Sequence, residues 1–100
     1  MSVITYNEQV LELEGKLYSG NVTETQMQIE FALDRTSFLI LNLSPLSTID
    51  VAGAFMIYLL TKRAEEKSKQ IILVGCESEK IKETFCLAGL NHLTQIAAAA

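Results

Sequence analysis

Two short apolar runs, Phe38-Leu39-Ile40-Leu41-Asn42-Leu43 and Gln70-Ile71-Ile72-Leu73-Val74-Gly75, flank a long apolar helix that begins after Asp50. Runs with so little polar alternation read as strands covered by helices on at least one face, the second suiting a central place in the sheet. The first run leads through a loop, Ser44-Pro45-Leu46-Ser47-Thr48-Ile49, into Asp50-Val51-Ala52-Gly53. A strand that hands an acidic cap to a helix start sets free backbone N–H groups and the positive helix end beside an exposed loop. That is a natural site for an anion or a partner. The residue placed to use it chemically is Val51, which has no hydroxyl.

The 100 residues, 49% hydrophobic and 20% charged, suit one globular domain with a single core. The net charge is −4, and the basic residues Lys62, Arg63, Lys67 and Lys69 are scattered at a helix end. That balance argues against nucleic acid or an anionic membrane and favours a protein partner. No apolar run reaches the roughly 18–20 residues that span a bilayer. The start, Met1 to Tyr6, lacks a basic n-region and a cleavage site, so membrane insertion is not expected and cytoplasmic residence is. Cys76 and Cys86 have no metal-ligand or CxxC spacing and are expected to be buried, reduced thiols. The domain is read as residues 1–96, with 97–100, all alanine, set aside as a tail or appended scar.

Along the chain, Ser2–Tyr6 and Gln9–Glu14 read as a hairpin turning at Asn7-Glu8, followed by a loop over Gly15–Gly20. Thr23 and Gln26 suggest a capping box opening a helix that runs to about Asp34. The central helix extends from Val51 to about Lys67, its basic residues suiting the negative end of the dipole. A third helix covers Ser78–Ala88, with Ser78 as cap and Gly89 as left-handed terminator, and a last strand is expected near His92–Ile96. The order β-β-α-β-α-β-α-β implies a mixed sheet with helices packed on it.

No catalyst can be named. His92 has no acid or cysteine at ligand spacing and is expected to be a surface or capping residue. The thiols lack a neighbouring base, Glu12 and Glu14 point to one side of a strand where solvation explains them, and the five glycines are spread singly. Neither a metal site nor a nucleotide-binding loop is visible, and no cofactor is expected.

The string Asn42-Leu43-Ser44, followed by Leu46-Ser47-Thr48-Ile49-Asp50-Val51-Ala52-Gly53, resembles the core signature of STAS domains, the anti-sigma-factor antagonists and their relatives. Weaker echoes follow the family's order: Leu13-Glu14-Gly15-Lys16-Leu17, the strand at 71–74, and Phe85 through Ala88-Gly89-Leu90. The resemblance implies a small α/β STAS-type fold acting by docking, its partner a histidine-kinase-like anti-sigma factor. In the family that kinase phosphorylates a serine or threonine after the aspartate, and the added charge of about −1.5 to −2 breaks the complex. Carried onto this chain, Asp50 caps the helix and shapes the loop, Gly53 permits close approach, and Ser47, Thr48 and Ile49 line the contact with Val51 and Ala52. Val51 falls at the phosphoacceptor position and cannot be phosphorylated; Ser47 or Thr48 is a weaker candidate. Tyr18 departs too, standing where the family often has an acidic residue. Two other readings keep their place: an accessory subunit docking onto an ABC-type lipid-transporter ATPase, and a small-ligand sensor.

Val51 either packs on the sheet or forms part of an unswitchable docking face. On the first helix, Val22, Gln26, Ile29 and Leu33 form a stripe expected to face the sheet, leaving Met27 and Phe31 nearly opposite as a candidate second patch unless a neighbouring element covers them. The apolar run 51–60 is wide enough for core, partner or a second copy of the chain, a homodimer.

Overall fold

The computed structural model describes residues 3–7 and 9–90. The elements are β1 (Val3–Asn7), β2 (Val10–Leu17), α1 (Val22–Asp34), β3 (Phe38–Asn42), β4 (Leu46–Ile49), α2 (Val51–Glu66), β5 (Gln70–Val74) and α3 (Glu79–Leu87). β1 pairs antiparallel with β2, while β2–β3, β2–β4 and β3–β5 are parallel. The mixed sheet with helices on it is the architecture expected above.

Register explains how β3 and β4 share one neighbour. Val10 pairs with Ile40 and Glu12 with Asn42. Further along β2, Gly15 pairs with Leu46, Lys16 with Thr48 and Leu17 with Ile49. The chain therefore follows β2 past a corner at Leu43–Pro45 and resumes pairing with extra residues inserted, as a bulge does. Segment 46–49, expected as loop, is thus strand, and β2 runs through Gly15-Lys16-Leu17, also expected as loop. Gly15 absorbs the irregularity at φ +83°.

Alternation along the strands sets the core. Leu11, Leu13 and Leu17 of β2, and Leu39 and Leu41 of β3 with Leu43 just beyond it, are fully buried. All three helices add to the same cluster, α1 through Ile29 and Leu33, α2 through Ile57 and Leu60, and α3 through Ile81 and Phe85. On the opposite pleat Val10, Glu12, Ile40 and Asn42 are only half-buried, so the helices cover one face. β5 pairs with β3 and, among the described residues, with no other strand. Its apolar residues Ile71 and Ile72 are half-buried. The strand expected at His92–Ile96, His92 itself and residues 97–100 lie outside the described residues.

Helix ends differ in detail from expectation. α1 starts at Val22 after Asn21 as cap, displacing the Thr23–Gln26 box, and Gln26 bonds instead to Glu30 at 2.9 Å. Its buried face is Thr25, Ile29, Ala32 and Leu33, with Gln26 half-buried at the edge. Ser78 caps α3 by position without a side-chain bond, and Gly89 is left-handed at φ +75° as expected. Ser68, just past α2, also sits at φ +58°. A non-glycine residue there costs about 1–2 kcal/mol. Ser68→Gly is expected to raise the unfolding free energy by about 0.5–1 kcal/mol, read as a higher denaturant midpoint; an unchanged or lower midpoint would show that no strain is stored there.

The thiols separate. Cys76 is buried, whereas Cys86, expected to be buried, is exposed on α3. Its neighbour Phe85 takes the inward position and turns it out to solvent. Burial, reinforced by the Glu77 carboxylate, pushes the Cys76 thiol from 9.0 up to about 11. The folded chain therefore holds this proton more tightly than the unfolded one. The stabilisation is complete below pH 9 and is lost as pH rises towards 11. Native protein is expected to react with one equivalent of a thiol reagent at neutral pH, and with a second only on unfolding. Two fast equivalents would contradict the burial of Cys76. Among the described residues no helix is long and apolar enough to cross a membrane.

Candidate functional site: the β4–α2 junction

The junction is assembled from the ends of β2, β3 and β4. At the β3–β4 corner, Asn42 Nδ2 donates to Glu12 Oε2 at 3.1 Å and Asn42 Oδ1 accepts from Ser44 N at 3.1 Å. The side chain thus fixes both the strand it leaves and the turn it enters. Gly75 lies against it at φ +76°, where any Cβ would press on Asn42 and Ser44. Along β4 the inserted residue turns both Ser47 and Thr48 outward between buried Leu46 and Ile49. Ser47 Oγ donates to Gly15 O at 2.9 Å, tying the edge back to β2.

Asp50 then performs three tasks. Its backbone N–H donates to Leu17 O at 3.1 Å, ending the sheet contact. Oδ1 accepts from Gly53 N at 2.9 Å, the helix cap expected from sequence. Oδ2 accepts from Ser19 N at 3.0 Å, which fastens the β2–α1 loop to the start of α2. With both oxygens engaged, the carboxylate occupies the positive helix end itself, which disfavours a second anion there. Gly53 is buried, and a Cβ there would lie 2.9 Å from Leu17 Cγ and 3.1 Å from Ile49 Cγ1. Its missing side chain lets α2 approach β2 and β4.

The seven residues expected to line the contact therefore divide. Ser47, Thr48 and Val51 are exposed, Asp50 and Ala52 are half-buried, and Ile49 and Gly53 face the core. Val51 is 41% exposed and heads a stripe that continues through Phe55 and Leu59. Behind the junction, Thr84 Oγ1 lies 3.1 Å from Ile49 O, bracing β4 against α3. On the open side, Gly15, Lys16, Tyr18 and Ser47 line a broad, shallow depression.

Residues that sequence reasoning missed hold the facing loop. Asn21 is buried, donates from Nδ2 to Lys16 O at 2.7 Å and accepts at Oδ1 from Tyr18 N at 2.9 Å. Only an Asn just before a helix hinted at this. Phe55 and Leu59 were readable from their i, i+4 spacing behind Val51. Met27 and Phe31 stand elsewhere, on the outer face of α1, 67% and 65% exposed, with the Arg35 guanidinium 5.7 Å from the Phe31 ring centre. No cluster that could hold a metal, and no buried side-chain polar atom without a partner, occurs among the described residues.

The STAS domain family model matches residues 2–99, and the chain belongs to that family. SpoIIAA, the unphosphorylated anti-sigma factor antagonist of Bacillus, superposes with a TM-score of 0.71 at 18% identity, over 93% of this chain and 84% of that one. An anti-sigma factor antagonist from Mycobacterium paratuberculosis gives 0.69 at 14%, over 99% and 92%. The STAS domain of a SulP transporter from Vibrio cholerae gives 0.58 at 14%, over 95% and 84%. At these identities the likeness is one of fold. No curated protein matches the chain.

Proposed function

We propose that this chain is a non-enzymatic regulatory module of the cytoplasm. It docks onto a histidine-kinase-like anti-sigma factor through the β4–α2 junction and is not phosphorylated at the usual position. The observation that carries this reading is Val51. It stands in the first turn of α2, directly after the capping aspartate, and is 41% exposed. A branched apolar side chain there adds to a dry contact and has no oxygen to accept a phosphoryl group. Ser47 and Thr48 form the polar rim, while Ile49 and Gly53 act from within by setting the position of α2. The fold neighbours that are antagonists support the anti-sigma setting. The SulP neighbour keeps a transporter-linked role as the second reading.

The test is a pull-down from native cytosol with wild type and Val51→Asp. A charge buried without a partner costs several kcal/mol, so the aspartate variant is expected to lose at least 90% of the bound kinase-like protein. Equal recovery by both forms would remove the junction as the docking face. A transporter ATPase recovered in its place would move the assignment to the second reading.

A further inference from the structure

The β2–α1 loop borders the junction, and the fold holds its exposed tyrosine in place. Tyr18 N donates to Asn21 Oδ1 at 2.9 Å, and Tyr18 O accepts from Asn21 N at 3.0 Å. The next residue, Ser19, is fastened through its N–H to Asp50 Oδ2. The ring lies over Gly20, where a Cβ would stand 2.9 Å from Tyr18 Cζ and 3.1 Å from its Oη. Tyr18 is nevertheless 46% exposed and outside the core. A large side chain ordered in advance and left open to solvent loses little freedom on binding, which suits a contact residue.

Tyr18 and Lys16 line the depression, about 720 Å³ in volume, whose other walls are Gly15 and Ser47. Its polar groups differ in kind. Lys16, exposed and paired in register with Thr48, supplies a cation, and the Tyr18 phenol supplies an O–H. The Ser47 hydroxyl gives its one proton to Gly15 O, so towards a guest it can only accept. Asp50, the carboxylate of the junction, turns both oxygens to backbone N–H groups, and Glu14, the next carboxylate back along β2, does not line the depression. On a chain of net charge −4, an anionic group entering here meets a cation.

We infer that this depression receives an acidic side chain of the docking partner, its carboxylate bound by Lys16 and Tyr18 while a backbone N–H of the same segment donates to Ser47. The inference rests on the docking function proposed above. Shape and donor pattern select this occupant. The depression is too open to enclose a small molecule, which binds by burying most of its own surface. It is continuous with the junction, because Ser47 belongs to both. A free anion would satisfy Lys16 and Tyr18 but turn lone pairs towards Ser47. An Asp or Glu within a peptide brings the carboxylate and an N–H donor together.

The experiment treats the full chain in native cytosol with a water-soluble carbodiimide, which joins an amine to a carboxylate in contact with it, and locates the isopeptide by mass spectrometry. Lys16 is expected to be joined to an aspartate or glutamate of the partner recovered with wild type, and Lys80, exposed on α3, to none of it. Lys16→Glu is expected to weaken that partner's binding tenfold or more and Tyr18→Phe about three- to tenfold, with Lys80→Glu leaving it unchanged. Unchanged binding by Lys16→Glu, or no isopeptide from Lys16, alongside loss of the partner by Val51→Asp, overturns the depression and leaves the junction standing. A rise in melting temperature with inorganic phosphate that Lys16→Met abolishes also overturns it, in favour of a free anion. Loss of the partner by Lys16→Glu but not by Val51→Asp removes the junction and keeps the depression. Equal recovery by all forms overturns the docking function and the depression together.

Discussion

Gly75→Ala is expected to lower the unfolding free energy by about 2–5 kcal/mol, with a fall in melting temperature of at least 8 °C at roughly 4–8 °C per kcal/mol. Two costs add. The residue sits at φ +76°, where a Cβ costs about 1–2 kcal/mol. That Cβ would also lie 2.5 Å from Ser44 N and 2.8 Å from Ser44 Cβ. Backbone cannot swing aside as a long side chain can, so the β3–β4 corner must shift, adding about 1–3 kcal/mol. Gly89 supplies the control: its φ is +75°, but nothing stands within 4 Å of its Cβ position. Gly89→Ala should therefore lose only the backbone share. Equal losses for the two variants, measured by denaturant unfolding, would show that the corner yields freely. Because the same corner aims β4 at α2, Gly75→Ala is also expected to weaken docking.

The second large effect is at Asp50. Alanine removes the bond to Gly53 N, a cap of about 1 kcal/mol, and the bond to Ser19 N, together about 2 kcal/mol. Asparagine separates them. Its one carbonyl oxygen can keep the cap, but its amide nitrogen cannot accept from Ser19 N–H. Asp50→Asn is accordingly expected to lose about half as much, with faster amide exchange at Ser19 and protection retained at Gly53. Loss of protection at both amides in the asparagine variant would contradict this division of labour. For partner binding, both substitutions free the loop at 18–20 from α2, so both are expected to weaken docking, alanine more.

Several parts of the fold were legible because their causes are local. The apolar runs at 38–43 and 70–74 carry their own strand signal, and Asp50 before an apolar stretch marks the start of α2 wherever the chain goes. Gly89 needs only its missing Cβ to end α3. Other parts depend on residues far apart in sequence. β4 is hidden because Ser44-Pro45 and Ser47-Thr48 break the alternation that marks a strand; its pairing comes from Gly15–Leu17, some thirty residues earlier. The same dependence made Gly15-Lys16-Leu17 look like a turn. Asn21 outranks Thr23 as the start of α1 because it is held by Lys16 O and Tyr18 N, partners that a linear pattern does not rank.

The sequence by itself determined the α/β class and the absence of a hydroxyl at Val51, because these follow from apolar spacing and side-chain chemistry that no packing can alter, and its string at 42–53 carried the resemblance to STAS domains. Tertiary structure alone decided which of the junction residues face outward. Strand pairing with β2 rotates Ile49 into the core and Ser47 and Thr48 away from it, and the close seat of Gly53 on Leu17 fixes the height at which Val51 stands. Burial of Ile29 and Leu33 of α1 with Ile57 and Leu60 of α2 in one cluster sets the level of one helix against the other, and the Glu30–Arg63 and Asp34–Lys67 pairs at the surface follow from it. Exposure is a property of neighbours, and neighbours are chosen by the sheet.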